Sequence, residues 1–573
     1  MFEIWRINVS SGELKREPLP DKYRYLGGRG ITSSLVADEV PPTCDPLGPL
    51  NKLVLAPGLL GGTTAPSSGR LSAGAKSPLT GGIKEANGGG TAGHKLARLG
   101  IRALVFEGGF PDSGLYVIKI TRDGVEFLPA GDLAGQTNYA VANTLRTIHG
   151  NHVAVVSVGP AGERGYANST IAITNMEGAP SRHMARGGLG AVLASKGVKS
   201  IVIDDSGTKP IAVANPEEFH ETVVEWTRKL VAAKRVLTEL GTANLVLPMN
   251  SLGCLPTHNF RYGSFTNAEK VSGQELSRLI KQRGGKQGHA CQPGCPIRCS
   301  NVYVDEQGEY ITSGLEYETI GLLGPNCGLS SLDDIARLDR FCDEYGIDTM
   351  ELGDTLAVCM EAGLLEFGDC EGVWKLVDEI KRNTVLGRTL GQGTAITGRV
   401  LGVRRVPVVK GQGISAYDPR ALKGTGVTYA TSPMGADHTA GNVLPGRGGF
   451  RPETRAGADP HKAQGQVEVS KDIQIMTAVC DITGQCFFVG ANEEMVEYVA
   501  RLLRALYGRA LGKDDVLQLG RDVVRMEVSF NRSAGLSPAH DRLPEFFHSE
   551  PLPPYGLIFD VATEELHRFW EAM

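Results

Sequence analysis

Apolar residues along this chain fall into two regimes. Up to about residue 210 they come in short runs broken by glycine. The segments KLVLAPGLL (52–60), RALVFEGG (102–109), VAVVSVG (153–159) and SIVIDD (200–205) predict strands, and LYVIKI (115–120) with VEFL (125–128) predicts a hairpin turning at Asp123-Gly124. From residue 215 the spacing becomes helical. PEEFHETVVEWTRKLVAAKRVLTEL (216–240) opens with proline and acidic residues in its first turn, and similar stripes recur at 332–346, 354–366, 373–383 and 493–508.

This pattern predicts an α+β multidomain protein. A β-rich N-terminal domain spans 1–210, and two mainly α-helical domains span 211–415 and 416–573, the break near 415 falling where VPVVKGQGISAYDP interrupts the helical pattern. Long loops are expected at 286–331 and 410–470, and loops of such length in a compact protein are more often functional than idle. The two helical parts also share a six-residue echo, Asp343-Glu-Tyr-Gly346-Ile-Asp348 and Asp481-Ile-Thr-Gly484-Gln-Cys486, of the form D-x-x-G-x-(D/C).

A chain of 573 residues exceeds what one hydrophobic core serves. A net charge of −5 gives no reason to expect nucleic acid or a lipid surface as partner. The 74 glycines suit backbone wrapped closely around a bulky ligand, or simply a loop-rich fold. The N-terminus lacks an apolar signal core and no segment reads as a membrane span, so a cytoplasmic protein without membrane insertion is expected, its eleven cysteines serving as thiols or metal ligands.

Cys291, Cys295 and Cys299 place three thiols within nine residues. Thiolates are soft ligands for iron–sulfur clusters or zinc, and Pro293, Gly294 and Pro296 keep the segment out of a helix. A cubane needs a fourth thiolate, for which Cys486, Cys480, Cys327 and Cys254 are candidates. Zinc fits less well because no histidine stands at finger-like spacing. Cys327, Cys342, Cys359 and Cys370 otherwise read as small buried hydrophobes. Lys410 and the basic run 403–405 read as a solvated face, or as a docking aid for an acidic electron carrier.

Taken in order, Tyr25-Leu-Gly-Gly-Arg-Gly30, Ser68-Gly-Arg-Leu-Ser-Ala-Gly74, Ala86-Asn-Gly-Gly-Gly90, Arg182-His-Met-Ala-Arg186-Gly-Gly-Leu-Gly-Ala191, the cysteine cluster, Glu316-Tyr-Glu-Thr319, both hexapeptides and Ala416-Tyr-Asp-Pro-Arg420 through His438 resemble the aldehyde ferredoxin oxidoreductases nearly end to end. The resemblance implies a β base beneath two helical domains, with a tungsten- or molybdenum-bis-pterin cofactor between them and a [4Fe–4S] cluster beside it. It assigns Arg70, Asn87 and Gly89, with Arg182, His183, Ala185 and Arg186, to the pterin phosphates and a bridging Mg²⁺. Asp343, Ile347 and Asp348 match one pterin-gripping loop; Asp481, Cys486 and Phe487 match its partner, which makes Cys486 the fourth cluster ligand. Glu318 and His438 match the acid–base pair of the substrate pocket. The first cysteine gap is three residues instead of the family's usual two, and His183 and Ala185 stand where small residues are commoner. Arg337 replaces an acidic ligand of the interface metal found in the best-known member, so no such metal is expected.

The reaction implied is oxidation of a small aldehyde by water to a carboxylic acid, with electrons leaving through the cluster to ferredoxin or a ferredoxin-like iron–sulfur subunit. A homodimer or a hetero-oligomer is among the assemblies implied. Two other readings are the catalytic subunit of a larger reductase complex acting on an activated aromatic acid, and a degenerate member relaying electrons without pterin.

Overall fold

In the computed structural model, which describes residues 2–571, the N-terminal segment is built twice on one plan. The first sheet comprises β1 (Glu3–Asn8), β2 (Glu13–Pro18), β3 (Leu53–Pro57), β4 (Leu71–Lys76), β5 (Ile83–Gly88) and β6 (Ile101–Glu107), in the order β2-β1-β6-β3-β4-β5. The second comprises β7 (Tyr116–Ile120), β8 (Val125–Pro129), β9 (Ala154–Val158), β10 (Ile171–Ile173), β11 (Arg182–Met184) and β12 (Val198–Ile203), in the equivalent order β8-β7-β12-β9-β10-β11. Each half pairs its first and last strands in parallel and the rest antiparallel. Helices Gly28–Glu39 and Asn138–His149 occupy matching places, as do Ala92–Arg98 and Leu189–Ser195. One apolar core joins the two sheets.

All of the expected strands form. β3, β6, β9 and β12 read as continuous apolar runs because they are almost wholly buried. β2, ELKREP, is largely exposed at a sheet edge, where charge is tolerated and guards against further pairing. The hairpin turns at Gly124, φ +152°, closed by Thr121 and Gly124 bonding to each other.

The rest of the chain is mainly helical. The stripe at 216–240 forms two helices, Pro216–Ala233 and Arg235–Leu240, the first capped by the Asn215 side chain with proline opening the turn. The segments expected as loops are more ordered than their sequence suggests. Residues 286–331 carry a three-stranded sheet (Lys286–His289, Ser300–Val304, Tyr310–Ser313) and the helix Tyr317–Leu323, and 410–470 carry the helix Lys423–Thr431. That helix is buried on every side, so it shows no amphipathic stripe. Packing does not follow chain order: Trp226 stacks on Tyr498 at 5.2 Å, and Leu543, Phe547 and Phe559 enter the core built around Leu255 and Leu322.

Both D-x-x-G hexapeptides are helix ends. Helices Leu332–Tyr345 and Gln466–Thr483 stop at Gly346 (φ +75°) and Gly484 (φ +77°), left-handed caps that glycine adopts without a Cβ penalty. Each end lies flush against one half of the base. Thr170 N–H bonds Gly346 O at 2.9 Å and Arg70 N–H bonds Gly484 O at 3.1 Å; Asp348 N–H bonds Asn168 O and Cys486 N–H bonds Ser67 O, both at 2.9 Å. The echo seen in the sequence is thus one half of a repeat whose other half is the duplicated base. A β-carbon on Gly58 would stand 2.0 Å from Gly484 N, and one on Gly159 would stand 2.2 Å from Tyr345 O. Gly58→Ala and Gly159→Ala should each lose at least the ~1–3 kcal/mol typical of overpacking. Gly109→Ala, whose nearest neighbour atom would be 3.7 Å away, should be nearly neutral in the same thermal unfolding assay.

Candidate active site

A cavity of about 330 Å³ opens where the two helix ends face the two halves of the base. Arg70, Asn87 and Gly89 line it from the first half, and Arg182, His183, Ala185 and Arg186 from the second. Asp343 and Ile347 enter from one helix end, Asp481, Cys486 and Phe487 from the other. Asp348 does not line the cavity. It stands just behind, where its Oδ2 accepts Arg186 Nε–H at 3.0 Å.

Asn87 and His183 occupy the same register position in the two halves, opposite Ser72 and Ala172. Each holds an aspartate: Asn87 Nδ2 donates to Asp481 Oδ1 at 3.1 Å, and His183 Nε2 lies 3.0 Å from Asp343 Oδ1. From behind, Arg29 Nη1 approaches Asp481 Oδ2 at 3.2 Å while Glu527 takes the other face of the guanidinium. Burial, then Glu85, push the Asp481 carboxyl up to about 8 against the pull of Arg29. Arg70 donates to the Asn87 side chain and backbone, and has no carboxylate partner in an ion pair among the described residues. Arg182 Nε is buried without an acceptor. These are cationic donors turned toward the cavity with hydrogen bonds to spare, as a phosphorylated, nitrogen-rich ligand requires.

Cys291, Cys299 and Cys486 also reach the cavity, and Cys295 sits behind them, 3.6 Å from Ser67 Oγ. Ser67, at φ +55°, ties the loop to the helix end: its N–H bonds Gly294 O at 3.1 Å and its carbonyl accepts Cys486 N–H. Gly89 lies against the same loop, since a β-carbon there would stand 3.2 Å from Cys291 Sγ. The Cys295 thiol is held down to about 6, first by the hydrogen bond from Cys291, whereas burial pushes Cys299 and Cys486 up. Among the described residues no three ligand side chains stand close enough for one metal ion. The other candidate thiols turn elsewhere: Cys254 faces Asp418 O, Cys327 bonds Leu322 O, and Cys480 is packed in the apolar core.

Glu318 and His438 meet at the far side of the cavity. Glu318 Oε2 accepts Ala416 N–H at 2.7 Å, while Oε1, buried and facing His438 Nε2 at 3.4 Å, has no hydrogen bond. Ser415 Oγ orients the imidazole through Nδ1 at 3.2 Å. Burial raises the Glu318 carboxyl, with His438 the chief opposing group. A buried carboxyl with one free oxygen beside an oriented imidazole is equipped to accept and pass a proton.

The profile "Aldehyde ferredoxin oxidoreductase, N-terminal domain" matches residues 4–205, and "Aldehyde ferredoxin oxidoreductase, domains 2 & 3" matches residues 220–573. The chain belongs to the aldehyde ferredoxin oxidoreductase family. It is 34% identical over 586 aligned residues to the tungsten-containing aldehyde ferredoxin oxidoreductase of Pyrococcus horikoshii, covering 96% of this chain and 93% of that protein. An aliphatic sulfonate oxidoreductase WOR-like subunit of Pyrococcus furiosus is 25% identical over 488 residues, covering 78% and 75%. In fold, the chain resembles the active-site complex BamBC of benzoyl coenzyme A reductase with 1,5-dienoyl-CoA, with a TM-score of 0.79 at 18% identity, covering 95% of this chain and 90% of that one. As a member of the aldehyde ferredoxin oxidoreductases, the protein is an oxidoreductase of a tungsten–pterin family.

Several site residues carry no role in the sequence reading. Glu316 lines the cavity and accepts a hydrogen bond from Thr242 Oγ1, although its motif is visible in the sequence. Arg29 lies inside the Gly-Gly-Arg-Gly segment, and Lys84, paired with Asp437 at 2.6 Å, has no sequence signal. Tyr417, Leu245 and Leu444 give the Glu318 end an aromatic and aliphatic wall. The expectation for Lys410 is corrected: its side chain is 3% exposed and pairs with Asp541 at 2.8 Å, because the turn it stands in is packed against Ala430, Ser432 and the C-terminal segment. Arg405 pairs with Glu550 and Glu361, whereas Arg404 is exposed and makes no ion pair among the described residues. No helix among the described residues is long and apolar enough to cross a membrane.

Proposed function

We propose that this protein oxidises a small aldehyde with water to a carboxylic acid at a tungsten- or molybdenum-bis-pterin centre, and passes the electrons singly through a [4Fe–4S] cluster to ferredoxin or a partner iron–sulfur subunit. The observation that carries the reading is the convergence on one cavity of three thiols with a fourth just behind them, two aspartates held at helix ends, three arginines and the Glu318–His438 pair.

Arg70, Arg182 and Arg186 would hold the phosphates, with Asn87, Gly89, His183 and Ala185 framing them and a bridging Mg²⁺. Asp343 and Asp481, steadied by His183 and by Asn87 with Arg29, would accept hydrogen bonds from the pterin rings, while Ile347, Asp348 and Phe487 complete the two gripping loops. When bound, the metal–pterin group supplies the two-electron couple and the cluster held by Cys291, Cys295, Cys299 and Cys486 the one-electron outlet. Glu318 Oε1, the oxygen without a partner, would take the proton from the attacking water. His438 Nε2 would donate toward the carbonyl oxygen, and Ser415 keeps the ring turned for it.

An anaerobic aldehyde panel with a viologen dye as acceptor tests the reaction. Turnover of at least one aldehyde is expected; no turnover by a protein carrying full metal and iron would move the reading to another substrate, such as an activated aromatic acid. Arg186→Gln tests the binding assignment. It should purify with pterin and metal lowered by about tenfold or more, and a full complement would remove Arg186 from phosphate binding.

A further inference from the structure

Behind Arg186, outside the cavity, two carboxyls crowd one glycine. Glu351 and Asp354 stand one turn apart on the helix Thr349–Glu361 and both are fully buried. Glu351 Oε1 accepts Thr394 N–H and Oε2 accepts Gly413 N–H, each at 2.9 Å. Asp354 Oδ1 accepts Asn326 Nδ2–H at 3.2 Å, whereas Oδ2 has no donor at all. A β-carbon on Gly413 would lie 2.5 Å from Asp354 Oδ2 and 3.1 Å from Glu351 Oε2, so the two oxygens front the same point.

Charge is short here. Arg186 Nη2 is 3.6 Å from Glu351 Oε2, but this arginine already pairs with Asp348, and Lys84 is taken by Asp437. Glu318, on the helix Tyr317–Leu323, adds a further carboxyl, while the nearby Cys327 thiol bonds Leu322 O and Gly353 O. Arg186 and Lys84, with His438 beside Glu318 and Asp437, therefore face Asp348, Glu351, Asp354, Asp437 and Glu318. Leaving a buried carboxylate uncompensated costs several kcal/mol, so some of these groups must stay neutral. Burial pushes both Glu351 and Asp354 up, Asp354 the further, with Glu351 the next contributor.

We propose that Asp354 is carried as a neutral carboxylic acid sharing its proton with Glu351, so that the pair holds at most one negative charge and takes less of the Arg186 charge away from a phosphorylated ligand. The use of that charge rests on the phosphate-binding reading of Arg186; the shared proton does not. Asp354 is then a positioning residue acting through Arg186. With its folded-state value raised, its contribution to stability is fully present below the ordinary carboxylate range and is lost as pH rises toward the raised value.

The test is infrared spectroscopy of the holoenzyme at neutral pH in H₂O and D₂O. Asp354→Asn minus wild type should show loss of one protonated-carboxyl band that shifts in D₂O, and Glu351→Gln should shift that band without removing it. Asp354→Asn should also flatten the alkaline limb of the Tm-against-pH curve. Should Asp354→Asn fail to accumulate, the Glu351→Gln shift decides. No change in the protonated-carboxyl region in either variant overturns the proposal. Pterin content in Arg186→Gln reports separately: retained pterin with the band intact would leave the shared proton standing and remove only its use by the ligand.

Discussion

A Cys486→Ser variant is expected to fold and yet purify without an intact iron–sulfur cluster. Cys486 is buried at a helix end whose backbone is fixed by Ser67 and by the left-handed Gly484, so the thiol is delivered by rigid structure. Serine keeps that geometry but offers a hard, poorly ionised oxygen where the cluster needs a soft thiolate. The loss of rate with viologen or ferredoxin should exceed the ~10–100-fold typical of changes one layer out from a metal. Cys480→Ser, six residues earlier and packed in the apolar core, is the control and should keep its iron. Iron determination and low-temperature EPR of the reduced protein read both. Iron retained in Cys486→Ser and lost in Cys480→Ser would place the fourth ligand elsewhere.

The second large effect is at the substrate end. Glu318→Gln should lower kcat by about 10²–10⁴, the range a positioned base contributes, with metal and iron unchanged. The sign of the pH effect follows from the raised carboxyl: acting as a base, Glu318 must be ionised, so wild-type kcat should fall as pH falls through the raised value. Glutamine removes that acid limb. His438→Asn should lower the rate less and leave the limb in place, since the histidine donates while Ser415 orients it. Steady-state pH profiles with fully loaded variants are the measurement. Near-wild-type rates in both would remove the pair from catalysis.

How much of this was legible in the sequence varies by element. Runs such as 153–159 and 200–205 read as strands because both faces are covered, and stripes such as 493–508 read as helices because one face is not. The duplication of the base was not legible: its halves share a strand plan, while residues at equivalent positions differ, asparagine at 87 against histidine at 183. The helix Gln466–Thr483 is buried nearly all round and shows no stripe, although it delivers both Asp481 and Cys486. Of the candidate site, the cysteines, aspartates and arginines were visible through motifs, and the cavity gathers all of them except Cys295 and Asp348, which sit one layer behind. Lys84, Glu351 and Asp354 carried no visible role, and Arg29 stood in a motif without one, because a charge gains its meaning only from the partner that the fold brings to it. The acids in ELGDTLAVC (351–359) were the available hint, being charges in an otherwise apolar helix.

A metal–pterin group in the cavity with an iron–sulfur cluster beside it requires both metals in every chain. Elemental analysis of protein purified anaerobically from its native source tests this most directly. About four iron atoms, as a four-cysteine cubane carries, together with tungsten or molybdenum in each chain, is the predicted result. A homogeneous, folded protein containing neither tungsten nor molybdenum would contradict it.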